Sequence, residues 1–329
     1  MEKGLANSNI SLQINNISAS CTLSVRFIEE DGLSASGRLG IVDPAIKSCV
    51  DNMYGYYPEF SDSLSCYGND INSLQGVENM SRLTSLELSA STLSEQAVSD
   101  LSSFTQIESL NLSNIITGYL DLSKMSSLNS VHMYGAQFDG IELPQNEELK
   151  YLYLDHTSLS SIDLTGLKGL ESLSISGSNI TSLDVSDNVN LTELNITYSS
   201  VESIEGFSSD HKLASLDAYG SNLVLLDISS LENIRTINIS ETKVKALDIS
   251  SNISLNTLWA DNSQLSQLIV SDNEYGELYT LSLENTAMAE IDLSNFTALN
   301  HLNIKNAKVS RLDITQNIAL SNLEAAGND

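Results

Sequence analysis

The chain has 329 residues, with 15 Lys and Arg against 43 Asp and Glu and a formal net charge of −28. Such a balance excludes nucleic acid and anionic lipid surfaces as partners, because both are held through cationic contacts to phosphate. It leaves an extracellular or high-salt setting, a cationic partner, or charge that simply keeps a long chain soluble. No run approaches the roughly 20 apolar residues of a membrane span, so no membrane insertion is expected. Met1 to Asn9 is polar and lacks the apolar core of a signal peptide. The sequence therefore fits a cytosolic chain, or one whose leader and upstream domains lie outside it.

Residues 1–30 contain ISLQINNISASCTLSVRFIEE, in which apolar and polar residues alternate through Ile10, Leu12 and Ile14 and then Leu23, Val25 and Phe27. This predicts a β-hairpin. Residues 31–60 are expected to form a cap: Asp43 and Pro44 suit the N-cap and first position of a short helix, DPAIKSCVDNM, which carries Cys49. Residues 61–329 are repetitive. An irregular strand, SLSCYG, carries Cys66, and the pattern LxxLxL then opens at Leu83, Ile107, Leu128, Leu149, Leu170, Leu191, Leu213, Ile234, Leu255, Leu278, Leu299 and Leu320. Successive differences are 24, 21, 21, 21, 21, 22, 21, 21, 23, 21 and 21. A fixed period of this size marks a solenoid, whose units bury apolar surface only against their neighbours.

One unit, LESLSISGSNITSLDVSDNVN from Leu170 to Asn190, shows how each position is used. Leu170, Leu173 and Ile175 point inward on a short strand while Ser172, Ser174 and Ser176 point outward. Ile180 and Leu183 then enter the core, Val185 lies in a second extended stretch, and Asp187 and Asn188 supply turn chemistry. In the same register Leu86, Leu110, Leu152, Leu194, Leu216, Leu258, Leu281 and Leu302 are expected to be buried. Glu87, Asn111, Tyr153, Asn195, Asp217, Trp259, Ser282 and Asn303 are expected to face outward.

The in-phase LxxLxL copies, with LDLS at 120–123, LDVS at 183–186, LDIS at 247–250 and IDLS at 291–294, resemble bacterial leucine-rich repeat proteins of the internalin-like type. The resemblance covers Ser61 to Asn328. It implies a right-handed solenoid, mostly β with short 3-10 turns, with a parallel concave sheet of about 12 to 13 strands and a short N-terminal cap helix. It also implies that Cys49 and Cys66 form a disulfide tying the cap to the first coil. Two buried free thiols are the alternative in a reducing cytosol. The hairpin segment resembles the end of an internalin-B-type repeat domain, which would leave Cys21 as an odd thiol. The sequence stops at Asn328–Asp329 partway through a unit, so a longer parent chain or a covered end is expected. One column departs from the family pattern. Where the family places Asn after the strand, this chain has Ser91, Ala136, Thr157, Ser178, Ser199, Ser221, Thr242, Ser263, Thr286 and Ala307, with Asn only at Asn328. The backbone groups that Asn would satisfy must then be met by hydroxyls or main chain.

Candidate chemistry is sparse. There is no phosphate loop, CxxC pair or HExxH, and the four histidines are scattered, so no metal, cofactor or catalytic centre is expected. An acidic column, Asp121, Glu142, Asp163, Asp184, Glu205, Asp227, Asp248, Asp292 and Asp313, follows the LDxS segments. It suits either calcium between carboxylates or carboxylates that cap local turns, and the missing calcium-loop signature favours the turns. The outward face of the concave sheet carries the second column: His132, Tyr134, Tyr151, Tyr153 and Asp155, then Asp217, Tyr219, Trp259, Asp261 and Glu284. Aromatic rings beside carboxylates suit protein or glycan recognition, and they also suit plain cross-strand pairing. Sequons at Asn111, Asn195 and Asn238 would put glycans on this face, which favours bacterial export without glycosylation. The expected function is a non-catalytic, exported or cell-surface binding protein, with a cytosolic scaffold as the alternative and a hydrolase as a distant one.

Overall fold

The computed structural model describes residues 34–52 and 60–328, all within a compact unit spanning Ser34–Asp329. The expected hairpin and Cys21 lie outside the described residues. One strand from each coil joins a 13-stranded parallel sheet whose order follows the chain. The pairing is leucine on leucine: Leu152 pairs with Leu173, Leu173 with Leu194, and Leu194 with Leu216. A slip of one residue would turn each of these side chains out of the core, so the repeat itself fixes the register. All nine strand leucines expected inside are no more than 2% exposed. In the coil from Leu170, the residues Leu170, Leu173, Ile175, Ile180, Leu183 and Val185 are all buried.

The opposite wall is discontinuous, and its interruptions have a period of their own. Tyr119–Asp121 pairs with Gly140–Glu142, Ser182–Asp184 with Ser203–Glu205, and Ala246–Asp248 with Gln267–Ile269. A coil without a paired strand follows each of these pairs. The same three-coil rhythm appears just before the repeat leucine, three residues ahead of it except at His211, which is two ahead: Leu167, Asn188 and His211 are followed by Leu231, Asn252 and Tyr275, then Phe296 and Asn317. The buried Asn188 Nδ2 donates to the Leu164 and Leu167 carbonyls of the preceding coil, and Asn252 and Asn317 repeat this contact. His211 Nε2 meets the Val185 carbonyl at 3.0 Å, and Tyr275 OH donates to the Ile249 carbonyl at 3.0 Å. At every third coil an asparagine before the repeat leucine thus bonds the backbone of its neighbour, as the family's asparagine after the strand does. At the usual corner the hydroxyls take over as expected: Thr157, Ser199, Thr242, Ser263 and Thr286 each donate to the carbonyl three residues back.

The cap contains two helices, α1 (Ala35–Leu39) and α2 (Pro44–Asp51). Asp43 caps α2 as expected, accepting from the N–H groups of Ala45 and Ile46 through Oδ1. Its Oδ2 accepts from Asn72 N at 2.8 Å, which fastens the cap to the first coil. Cys49 and Cys66 are disulfide-bonded, with Cα atoms 5.6 Å apart. A third helix, α3 (Glu95–Leu101), was not foreseen. It occupies the 24-residue interval between Leu83 and Ile107, and Ser94 caps it by accepting from Ala97 N. No helix among the described residues is long and apolar enough to cross a membrane.

Candidate functional site

The seven aspartates of the acidic column are local turn chemistry. Asp121, Asp163, Asp184, Asp227, Asp248, Asp292 and Asp313 each accept the backbone N–H two residues on. Hydrogen bonds from Ser or Thr at that position hold Asp121, Asp163, Asp184, Asp227, Asp292 and Asp313 below the usual carboxylate range. Among the described residues no group of three or more His, Cys, Asp or Glu side chains could hold a metal ion.

On the outer face of the long sheet, the expected residues fall into separate groups. His132 and Tyr153 stack with ring centroids 4.8 Å apart, and Tyr134 meets His156 edge-on at 5.2 Å. Burial lowers the His132 pKa, and its Nε2 lies 2.9 Å from Ser130 Oγ. Tyr151 is exposed on the strand it shares with Tyr153. Farther along, Tyr219 packs edge-on against Tyr198 at 5.2 Å and donates to Glu241 Oε1 at 2.7 Å. The hydrogen bond to Glu241 first, and the neighbouring Tyr198 hydroxyl second, push the Tyr219 phenol pKa up. Asp217 accepts from Tyr219 N at 3.1 Å. Trp259 is exposed between Asn238 and Ser282, and no ring of the described residues packs against it. The expected residues thus form two aromatic groups and an isolated indole instead of one continuous cluster.

Two carboxylates make the same cross-coil clamp. Asp155 Oδ1 accepts from Ser174 Oγ and from Ser176 N in the next coil. Asp261 Oδ1 accepts from Ser282 Oγ at 2.6 Å and Glu284 N at 2.7 Å. Burial raises the Asp261 pKa against these bonds. Glu284 is held low, first by Asn303 Nδ2 and then by Lys305 Nζ at 3.3 Å. The clamps correct one expectation: Ser174 and Ser282 face outward but are 6% and 7% exposed, because the longer side chains beside them close over them. Sequence reasoning did not assign His156, Tyr198 and Glu241 to the face, because their position after the strand is ordinarily a bare turn. All three have positive φ, at 56°, 53° and 59°.

The family described as the leucine-rich repeat domain of the endo-beta-N-acetylglucosaminidase EndoS matches residues 41–160. Solved structures extend the likeness along the chain. The functional domain of InlJ from Listeria monocytogenes superposes with a TM-score of 0.66 at 21% identity, over 82% of this chain and 63% of that one. This chain has a leucine-rich repeat fold like that of the internalins. The internalin InlF from Listeria monocytogenes matches with a TM-score of 0.55 at 19% identity, covering 90% of this chain and 88% of that one. A chain of the LRIM1/APL1C complex matches with a TM-score of 0.63 at 17% identity, over 77% of this chain and 51% of that one. By sequence, no curated protein matches. The chain thus spans under two thirds of the InlJ domain, and at these identities the likeness is one of fold.

Proposed function

We propose that this protein is a non-catalytic, exported or cell-surface binding protein of bacterial type that recognises a protein through the outer face of its long sheet. The observation that carries the reading is the content of that face: exposed Tyr134, Tyr151 and Trp259 lie beside Asp155, Asp217 and Asp261 on a rigid parallel scaffold. Aromatic rings supply large contact area at small entropic cost, and carboxylates select a basic partner. The protein–protein complex formed by one structural relative and the internalin-like fold support a binding role. The disulfide between Cys49 and Cys66 supports an oxidising compartment.

Protein and glycan arrays probed with the purified chain test the reading, with Trp259→Ala and Tyr153→Ala introduced together into a folded variant. A protein ligand that is lost in the double variant is the expected result. A glycan ligand would change the ligand class, and a ligand retained by the variant would move the site off this face. Thiol titration after denaturation tests the compartment: one reactive thiol is expected, whereas three would favour a cytosolic scaffold.

A further inference from the structure

A depression of about 400 Å³ opens on the long-sheet face across the strands Tyr151–Tyr153, Ser172–Ser174, Glu193–Asn195 and Ser215–Asp217. Its cause is local sequence. The coil from Leu170 presents only short serines outward, Ser172, Ser174 and Ser176, while the coils on either side carry Tyr153 with Asp155, and Glu193 with Asn195. Two of these serines also orient the walls. Ser174 Oγ donates to Asp155 Oδ1 from one side, and Ser172 Oγ donates to Glu193 Oε2 at 3.4 Å from the other. Asp217 closes the far end, and no Lys, Arg or His lines the space.

Three carboxylates around a cavity suggest a cation, and the geometry restricts which kind. They are not grouped closely enough for any set of three to hold a metal ion. The cavity is instead the size of a small organic group. Tyr153 adds an aromatic wall, on which a guanidinium stacks favourably. A guanidinium also presents a planar fork of five donors and is more weakly hydrated than an ammonium, so it can reach carboxylates on two walls at smaller desolvation cost. A neutral hydroxyl-rich ligand would bury these carboxylates without neutralising them.

We propose that this depression is a subsite for an arginine side chain carried by an extended segment of a protein partner. The proposal rests on the reading of the long-sheet face as the binding face and names what one part of it selects.

The test uses the whole chain and a short Gly-Ser peptide carrying two arginines, titrated calorimetrically at roughly physiological salt. Matched peptides carry lysine or citrulline instead. The Asp155→Asn, Glu193→Gln variant removes two wall charges while keeping acceptor oxygens for the serines. The Glu205→Gln, Asp248→Asn variant removes the same charge from the opposite wall, and thermal melts verify that both variants fold. Binding of the arginine peptide is expected to weaken about tenfold or more in the first variant and less than about twofold in the second. The citrulline peptide should bind about tenfold more weakly than the arginine peptide, and the lysine peptide measurably more weakly. Equal weakening in the two variants would reduce the effect to net charge and overturn the proposal. So would equal binding of the three peptides, or no binding of the arginine peptide to the unaltered chain. A ligand found on the array that depends on Trp259 but not on Asp155 and Glu193 would overturn the subsite while leaving the wider face assignment standing.

Discussion

The ring of Tyr198 lies over the backbone of Gly220 in the next coil, so closely that a Cβ on Gly220 would sit 2.7 Å from the ring atoms Cδ1 and Cε1. Both residues are left-handed, with φ of 53° and 65°. His156 and Gly177 form the same arrangement two coils earlier. This turn requires positive φ in coil after coil, and a bulky side chain is accommodated where the following coil has none.

Gly220→Ala should therefore be destabilising by more than the roughly 1 kcal/mol of a left-handed alanine, because the added Cβ also meets the Tyr198 ring. In a Tyr198→Ala background the second contribution should disappear. Chemical denaturation of the four proteins of this cycle should give a coupling of about 1–3 kcal/mol. A coupling near zero would mean that Tyr198 swings aside freely.

Leu194→Ala should cost about 2–5 kcal/mol, since Leu194 is 2% exposed between Leu173 and Leu216. Ser174→Ala would have been near neutral for a solvated serine. Its buried bond to Asp155 raises the expected cost to about 1.5 kcal/mol. Urea melts that rank the two equally would contradict this packing.

Asn252→Leu tests the asparagine contact between coils. Leucine occupies the same position one coil earlier at Leu231, so the shape is tolerated. The carbonyls of Ile228 and Leu231 would keep the N–H groups of Leu231 and Ile234 but lose their Asn252 donor, at about 0.5–1.5 kcal/mol for each bond. Thermal melts should show a clear drop in Tm. A neutral result would mean that the backbone donors of Leu231 and Ile234 suffice and that the Asn252 side chain adds nothing.

Reduction of Cys49–Cys66 releases a cross-link with a sequence separation of 17 residues. A loop of that size corresponds to about 3 kcal/mol. Hydrogen exchange should report the loss first in α1 and α2 and the coil holding Cys66. Uniform loosening along the solenoid would contradict a local role.

Acid should erode the turns of the second wall. Asp184 is held below its ordinary pKa by Ser186, so the stabilisation it gives is present above about pH 4 and is lost as the pH falls through its lower folded value. Asp184→Ala should lower Tm at pH 7, and the difference from the unaltered protein should shrink toward zero as the pH approaches 2. Asp261 runs the other way. Burial raises its pKa, so protonation on moderate acidification favours the folded state there. An Asp184→Ala deficit that stayed constant with pH would remove the carboxylate from the explanation.

The periodic part of the fold was legible because every coil states the same thing: Leu173, Leu194 and Leu216 recur at the spacing that stacks strands in register. The cap helix was legible from Asp43 and Pro44, whose chemistry is local. What escaped were features set by neighbours in space. Helix α3 depended on reading the 24-residue interval as room for a helix, although Ser94, Ala97, Val98 and Leu101 held the signal. The burial of Ser174 depends on Asp155, nineteen residues away, and the Tyr198–Tyr219 pair on a turn normally read as featureless. On the face itself, the sequence marked the outward positions but could not group them. Trp259 stands apart because its sheet neighbours are Asn238 and Ser282.

The second wall is a punctuated one, and its punctuation defines a unit of exchange larger than the coil. From Ser182 to Ala246 the paired strands recur after 246 − 182 = 64 residues, as do Asn188 to Asn252 and His211 to Tyr275. Removing one coil would set an Asn or an aromatic donor against a neighbour built for something else. Removing the 64 residues from Leu170 to Asn233 would bring Ile234 onto the coil from Leu149 with strand pair, asparagine donor and long coil all in phase. This solenoid should therefore shorten or lengthen as a sentence does, by whole clauses of three coils.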